Sequence, residues 1–83
     1  MKYIIEYINE SKQISIIARQ FENNEFTLTE SSNLDGYPIE KHVSQPRALK
    51  ENGKPDLELF IFTLKNKNDK KYFKPGQEVE LLE

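Results

Sequence analysis

Apolar and polar residues alternate at the start of the chain. Within residues 2–8, Tyr3, Ile5 and Tyr7 share one face of an extended segment, and Glu6 interrupts the other face. A period of two that is carried by β-branched and aromatic side chains is typical of a half-buried strand. The pattern therefore predicts a first strand over residues 2–8.

The next apolar segment, residues 14–21, fits two structures. Ile14, Ile17, Ala18 and Phe21 have the spacing of a helical stripe. Three isoleucines within four positions, however, lower the helix propensity and favour a strand. We expect a strand here, and a helix is the alternative.

Residues 22–30 predict a hairpin. The Glu-Asn-Asn-Glu sequence at 22–25 suits a tight turn, because Asn tolerates the positive φ that hairpin turns require. Alternation resumes over residues 26–30 and predicts a third strand. A meander of three strands over residues 2–30 follows from these patterns.

The pattern dissolves over residues 31–56, where turn-forming residues and three prolines interrupt the chain. One short helix is predicted inside this connection, at residues 46–51. Pro46 suits a first helical turn, good helix formers follow it, and Gly53 can end the helix.

The C-terminal third predicts strands again. Residues 57–64 are apolar on both faces, which is typical of the most buried strand of a sheet and places Phe60 and Phe62 in the core. A hairpin turn at 66–69, a short strand at 70–73, a Pro-Gly corner and a last strand near the end of the chain complete the pattern.

Five or six short strands joined by tight turns predict an all-β, mostly antiparallel fold. The architecture is a small barrel or a two-layer sandwich with one short helix in the long connection. A length of 83 residues is enough for one core, so residues 1–83 are predicted to be a single β domain.

The composition narrows the setting of the protein. The chain has no cysteine, which rules out disulfides and thiolate metal sites and favours a reducing cytoplasm. No stretch is long and apolar enough for a membrane span, so no membrane association is expected. The abundance of Ile, Lys, Asn and Glu favours a bacterial or phage source.

The residues of a self-sufficient enzyme are missing. The single histidine, His42, has no partner pattern around it, and the three glycines are too isolated to cradle a phosphate. Residues 73–81 resemble a short segment of the flavin-binding barrels in the ferredoxin-reductase group, but the chain lacks their arginine-aromatic-serine flavin motif. We therefore expect no enzyme activity, no metal and no cofactor.

Two surfaces are candidates for binding. The first is the connection 31–56, since a long loop on a rigid sheet is a common layout for protein recognition. Its candidate contact residues are Leu34, Tyr37, Ile39, Lys41, Arg47 and Lys50. The expected function is a non-enzymatic protein-binding module, such as a phage or mobile-element accessory or inhibitory protein or an assembly subunit, and homodimerisation is a further expectation.

The second candidate surface is basic. Residues 41–76 hold nine basic side chains against four acidic ones, whereas residues 1–40 hold three against seven. Single-strand nucleic-acid binders use lysines to neutralise phosphates and aromatic rings to stack on bases. The net charge of −2 argues against that class for this chain. The residues of this alternative are Lys65, Lys67, Lys70, Lys71, Tyr72 and Lys74. One strand separates the two basic segments, so both could lie at the same end of the domain.

Overall fold

A computed structural model describes residues 1–22 and 25–82 as a closed antiparallel barrel. Its six strands are β1 (Lys2–Glu10), β2 (Ile14–Gln20), β3 (Asn33–Leu34), β4 (Tyr37–Ser44), β5 (Leu59–Leu64) and β6 (Glu78–Leu82), and a 3₁₀ helix spans Lys67–Tyr72. The order around the barrel is β1-β2-β5-β4-β3-β6. The all-β prediction is confirmed, and so is the choice of a strand for β2.

The two ends of the barrel carry different connections. At the lower end β1 and β5 begin and β2 and β4 finish, so the connections that follow β2 and β4 leave from there. At the upper end β1 and β5 finish, β2 and β4 begin, and the 3₁₀ helix connects β5 to β6.

The core is filled by alternate side chains of the strands. At its centre Tyr3 and Phe62 are fully buried, and their rings meet edge to face with centroids 5.2 Å apart. Phe26 and Phe60 join them from the lower end, 5.2 Å from each other. These four aromatic rings therefore form one continuous cluster from the barrel interior to its lower mouth.

Two predicted positions in the core are corrected. Tyr7 is 51% exposed and does not share the face of Tyr3 and Ile5, because the pairing register of β1 shifts between Ile5 and Tyr7. In β5, Phe62 is buried as predicted, but Phe60 is only half-buried because it lies near the lower mouth.

The predicted third strand, residues 26–30, is wrong. Phe26 and Leu28 do point into the core, but the segment pairs with no strand of the described chain and ends in a turn closed by the Ser32 and Thr29 backbones. The second neighbour of β2 is β5, so the meander over 2–30 does not form. Within the predicted turn, Asn23 and Asn24 lie outside the described residues.

The connection 31–56 is more regular than predicted, and its helix at 46–51 is wrong. β3 and β4 lie inside it, joined by a turn in which Gly36 has a φ of +88°. Residues 48–56 form an irregular hairpin, here called loop 48–56. The amide of Asp56 donates to the carbonyl of Ala48, and the amide of Lys50 donates to the carbonyl of Lys54.

The 3₁₀ helix replaces the predicted turn at 66–69 and the predicted strand at 70–73. β6 pairs with β1 and β3, not with β5, so the chain has to cross the upper end of the barrel after β5. The crossing brings Phe73 into the core, where it is buried, and leaves Tyr72 exposed.

Candidate functional site

Large apolar side chains are exposed mainly at the lower end. Of the six that are exposed in the described part of the chain, Phe21 (51%), Leu49 (72%) and Leu57 (66%) lie in the connections at this end, and Leu82 is the last residue of β6. Exposure of one such residue is ordinary, but a cluster of them marks an interaction surface in many soluble proteins.

Leu57 connects Phe21 and Leu49 into one surface, here called the lower-end surface. It borders three depressions of about 350, 480 and 470 Å³. Phe21 lines the first, Phe26 and Phe60 form part of the second, and Leu49 lines the third. The lower-end surface is therefore concave on both sides of Leu57, and its apolar side chains lie beside polar and charged ones such as Lys50 and Glu58.

Loop 48–56 is fastened to the barrel by Arg19 on β2. The guanidinium donates to both carboxylate oxygens of Asp56, at 3.2 Å from Nη1 to Oδ1 and 3.0 Å from Nη2 to Oδ2. Nε of Arg19 also donates to Glu6 at 2.6 Å, and Nη1 lies 3.4 Å from Glu58. A planar guanidinium that engages a carboxylate with two bonds fixes direction as well as distance.

The ionisation of Asp56 and Arg19 follows from these hydrogen bonds. Hydrogen bonds from Arg19 lower the pKa of Asp56 below its ordinary value of 3.8, against the opposing effect of burial. The hydrogen bond from the Glu58 amide and the charges of Arg19 and Lys50 lower the pKa further. The same pairing raises the pKa of Arg19. Asp56, whose side chain is only 8% exposed, is thus held as a carboxylate that anchors the loop.

The predicted protein-contact residues are scattered by the fold. Leu34 and Ile39 are fully buried in the core, so neither side chain is presented to a partner. Tyr37 is half-buried at the upper end, stacked on Tyr72 with ring centroids 4.6 Å apart. Lys41 is exposed on β4, where the register shifts between Ile39 and Val43.

Arg47 and Lys50 are the two predicted contact residues that reach the lower-end surface. Arg47 lines the depression beside Leu49, and Lys50 lines the depression beside Phe21. Lys50 also pairs with Glu58, at 3.4 Å from Nζ to Oε1.

The lysines of the nucleic-acid alternative lie at the upper end. Lys70 is paired with Glu10 on β1, and Lys65 lies 3.8 Å from the carboxylate of Glu30. Nζ of Lys71 lies over the ring of Tyr72, 5.2 Å from its centroid. Glu10 and Glu30 therefore neutralise part of the positive charge with which these lysines would bind a phosphate backbone.

The remaining two lysines of that set, Lys67 and Lys74, are exposed. Lys74 lines a depression of about 330 Å³ together with Lys71 and Tyr72. Although the sequence allowed both basic segments to lie at one end, Arg47 and Lys50 lie at the opposite end of β5.

Sequence reasoning missed the three residues that define the lower-end surface. Phe21 belonged to a predicted apolar stripe, Leu49 to a predicted helix and Leu57 to a strand assigned to the core. Their hydrophobicity gave no signal, because core and surface leucines look alike in one sequence. The one available sign was position, since Phe21 and Leu57 stand at the ends of apolar runs, beside charged residues.

Residues 1–22 and 25–82 hold no group of three His, Cys, Asp or Glu side chains placed to bind a metal ion. Among the same residues, no helix has the length and apolar character needed to cross a membrane. The fold and site define a small closed β-barrel that exposes large apolar side chains at its lower end. No family model, curated protein or solved structure matches the chain.

Proposed function

We propose that the protein is a non-enzymatic binding module whose lower-end surface holds a protein partner. The observation that carries the proposal is Leu57, which is two-thirds exposed where three depressions adjoin. Apolar side chains at the centre of a patch, surrounded by polar groups, are the residues that interfaces bury.

The fastening of loop 48–56 supports the proposal. A surface whose loop is already fixed loses less conformational entropy on binding than a mobile one. The two bonds from Arg19 to Asp56, together with the bond from Gln45 to the Leu57 carbonyl at 2.8 Å, hold Leu57 and Leu49 in place before any partner arrives. An accessory or inhibitory role in a bacterial or phage cytoplasm is part of the proposal and rests on composition.

Affinity capture from a lysate of the source organism tests the proposal when native and variant chains are compared. Leu49→Ser and Leu57→Ser should each lose most of the captured partner, since truncation of a central anchor costs about 2 kcal/mol or more. Tyr7→Ser removes a large, half-exposed side chain from the outside of β1 and should capture as much as the native chain. Equal capture by all four chains would refute the lower-end surface.

Nucleic-acid binding at the upper end is the second candidate, supported by the stacked Tyr37 and Tyr72 beside Lys71 and Lys74. Titration with labelled single-stranded and duplex oligonucleotides at two salt concentrations separates the two functions. A phosphate binder loses affinity steeply with salt, and each lost lysine contact lowers the salt slope by about one unit. We expect no binding at low salt; tight, salt-sensitive binding that needs Lys71 and Lys74 would favour the alternative.

A further inference from the structure

The depression between the end of β4 and the segment after β2 differs from its two neighbours. Its volume is about 480 Å³, and its apolar lining comes from Phe26, Val43, Leu57 and Phe60. Phe26 and Phe60 are half-buried members of the aromatic cluster, with ring planes 70° apart. The floor is therefore continuous with the aromatic cluster of the core.

The size of this depression suits a side chain. A volume of several hundred Å³ is enough to hold an aromatic or large aliphatic group, and rings that meet edge to face leave ring edges and faces available to another aromatic group. The uncharged polar part of the lining comes from Gln20, Thr27 and Gln45.

The charge at the rim adds a second requirement. Glu25 is the one charged residue that lines the depression, and it is exposed. No cation of residues 1–22 or 25–82 forms an ion pair with it, whereas Glu58 on the other side of Leu57 is paired with Arg19 and Lys50. A partner that covers the depression therefore meets an uncompensated carboxylate, and a cation beside the inserted group would match it.

From this juxtaposition we infer that the depression takes an aromatic or large aliphatic anchor side chain of the partner protein, next to a lysine or arginine that pairs with Glu25. The inference rests on the proposed function and adds the chemistry of the partner. The anchor displaces water from the Phe26–Phe60 floor, and the neighbouring cation sets the direction in which the partner segment crosses the rim.

Selection from a displayed library of random dodecapeptides against the full chain tests the inference. Enriched peptides should place Phe, Trp or Leu beside Lys or Arg. Fluorescence anisotropy with one such peptide should give an affinity about two- to fivefold weaker for Glu25→Gln and about tenfold weaker for Glu25→Lys. Glu51→Lys makes the same change in charge at the exposed tip of loop 48–56 and should bind within twofold of the native chain.

Two further measurements make the test specific. A peptide with its Lys or Arg replaced by Glu should regain affinity for the Glu25→Lys chain. Thr27→Trp should fill the depression and weaken binding at least tenfold, while Ser11→Trp, at the exposed turn after β1 on the upper end, should not. Circular dichroism of each variant should match that of the native chain.

The outcomes separate this inference from the proposed function. Peptides without a cation, equal losses for Glu25→Lys and Glu51→Lys, or no enrichment at all would overturn the inference. Capture that is lost with Leu49→Ser but unchanged with Glu25→Lys and Thr27→Trp would also overturn it and leave the proposed function standing. Capture that survives Leu49→Ser and Leu57→Ser would remove the proposed function itself.

Discussion

Truncation of Phe62 should unfold most of the protein, whereas truncation of its neighbour Phe60 should not. Both side chains belong to the aromatic cluster and point inward from β5, but Phe62 is fully buried and Phe60 is half-buried at the lower mouth. Replacing a buried Phe by Ala costs about 3–5 kcal/mol, from lost transfer energy and from the cavity left behind. A chain of this length has a total stability on the order of 5 kcal/mol, so Phe62→Ala should remove most of it.

The smaller costs can be worked from the same contacts. Phe60→Ala opens onto a depression that water already reaches, so we expect about half the loss, roughly 1.5–2.5 kcal/mol. Phe62→Leu keeps most of the volume but removes the edge-to-face contact with Tyr3, and the loss of that contact should cost about 1 kcal/mol.

Urea unfolding followed by circular dichroism measures these differences, provided the slope of the transition is the same for all variants. Each kcal/mol should also lower the thermal midpoint by about 4–8 °C in a domain of this size. If Phe60→Ala proved as destabilising as Phe62→Ala, the gradient of burial along β5 would be refuted. A Phe62→Ala chain with an unchanged midpoint would refute the central position of that ring.

Three further predictions concern single residues. Asp56 has a lowered pKa in the folded protein, so its contribution to stability is present above about pH 4 and is lost as the pH falls through the folded pKa. Asp56→Asn should therefore lower the thermal midpoint at pH 7. Below about pH 4, the midpoint of this variant should fall less steeply with pH than that of the native chain. Tyr72→Ala removes the ring stacked on Tyr37 and should cost about 1 kcal/mol, with a loss of near-ultraviolet circular dichroism. Gly76 has a φ of +87° and open space where a Cβ would lie, so Gly76→Ala should cost about 1 kcal/mol from backbone strain alone, measured by urea unfolding.

The candidate site could be predicted only in part. Arg47 and Lys50 were singled out from the sequence and do reach the lower-end surface, since they lie in a connection that had to be exposed. Leu34 and Ile39 came from the same connection but form strand pairs and are buried. Turn-forming neighbours concealed these strands in the sequence. Pro38 lies in β4, and its carbonyl accepts a hydrogen bond from the amide of Lys65, the residue after β5. Because β5 has already ended there, the missing amide proton of Pro38 costs little.

The sequence by itself determined that β1, β2, β5 and β6 are extended and that alternate side chains of these strands face inward. Alternation at Tyr3, Ile5 and Ile16, and at Phe26 and Leu28, marks core positions whether or not the segment finds a strand partner. This holds because burial of an apolar side chain depends on its spacing along the chain, which one sequence records.

The tertiary structure decided which strands are neighbours, and with that the binding surface. β2 pairs with β5 across a long separation in sequence, and β6 returns to β1, so the segments 26–30 and 66–73 became crossings of the barrel ends instead of hairpins. Pairing depends on backbone hydrogen bonds between distant residues, which are chemically alike in every strand. Leu57 stands in the turn that leads into β5, and the pairing of β5 with β2 is what places it beside Phe21 and between its three depressions.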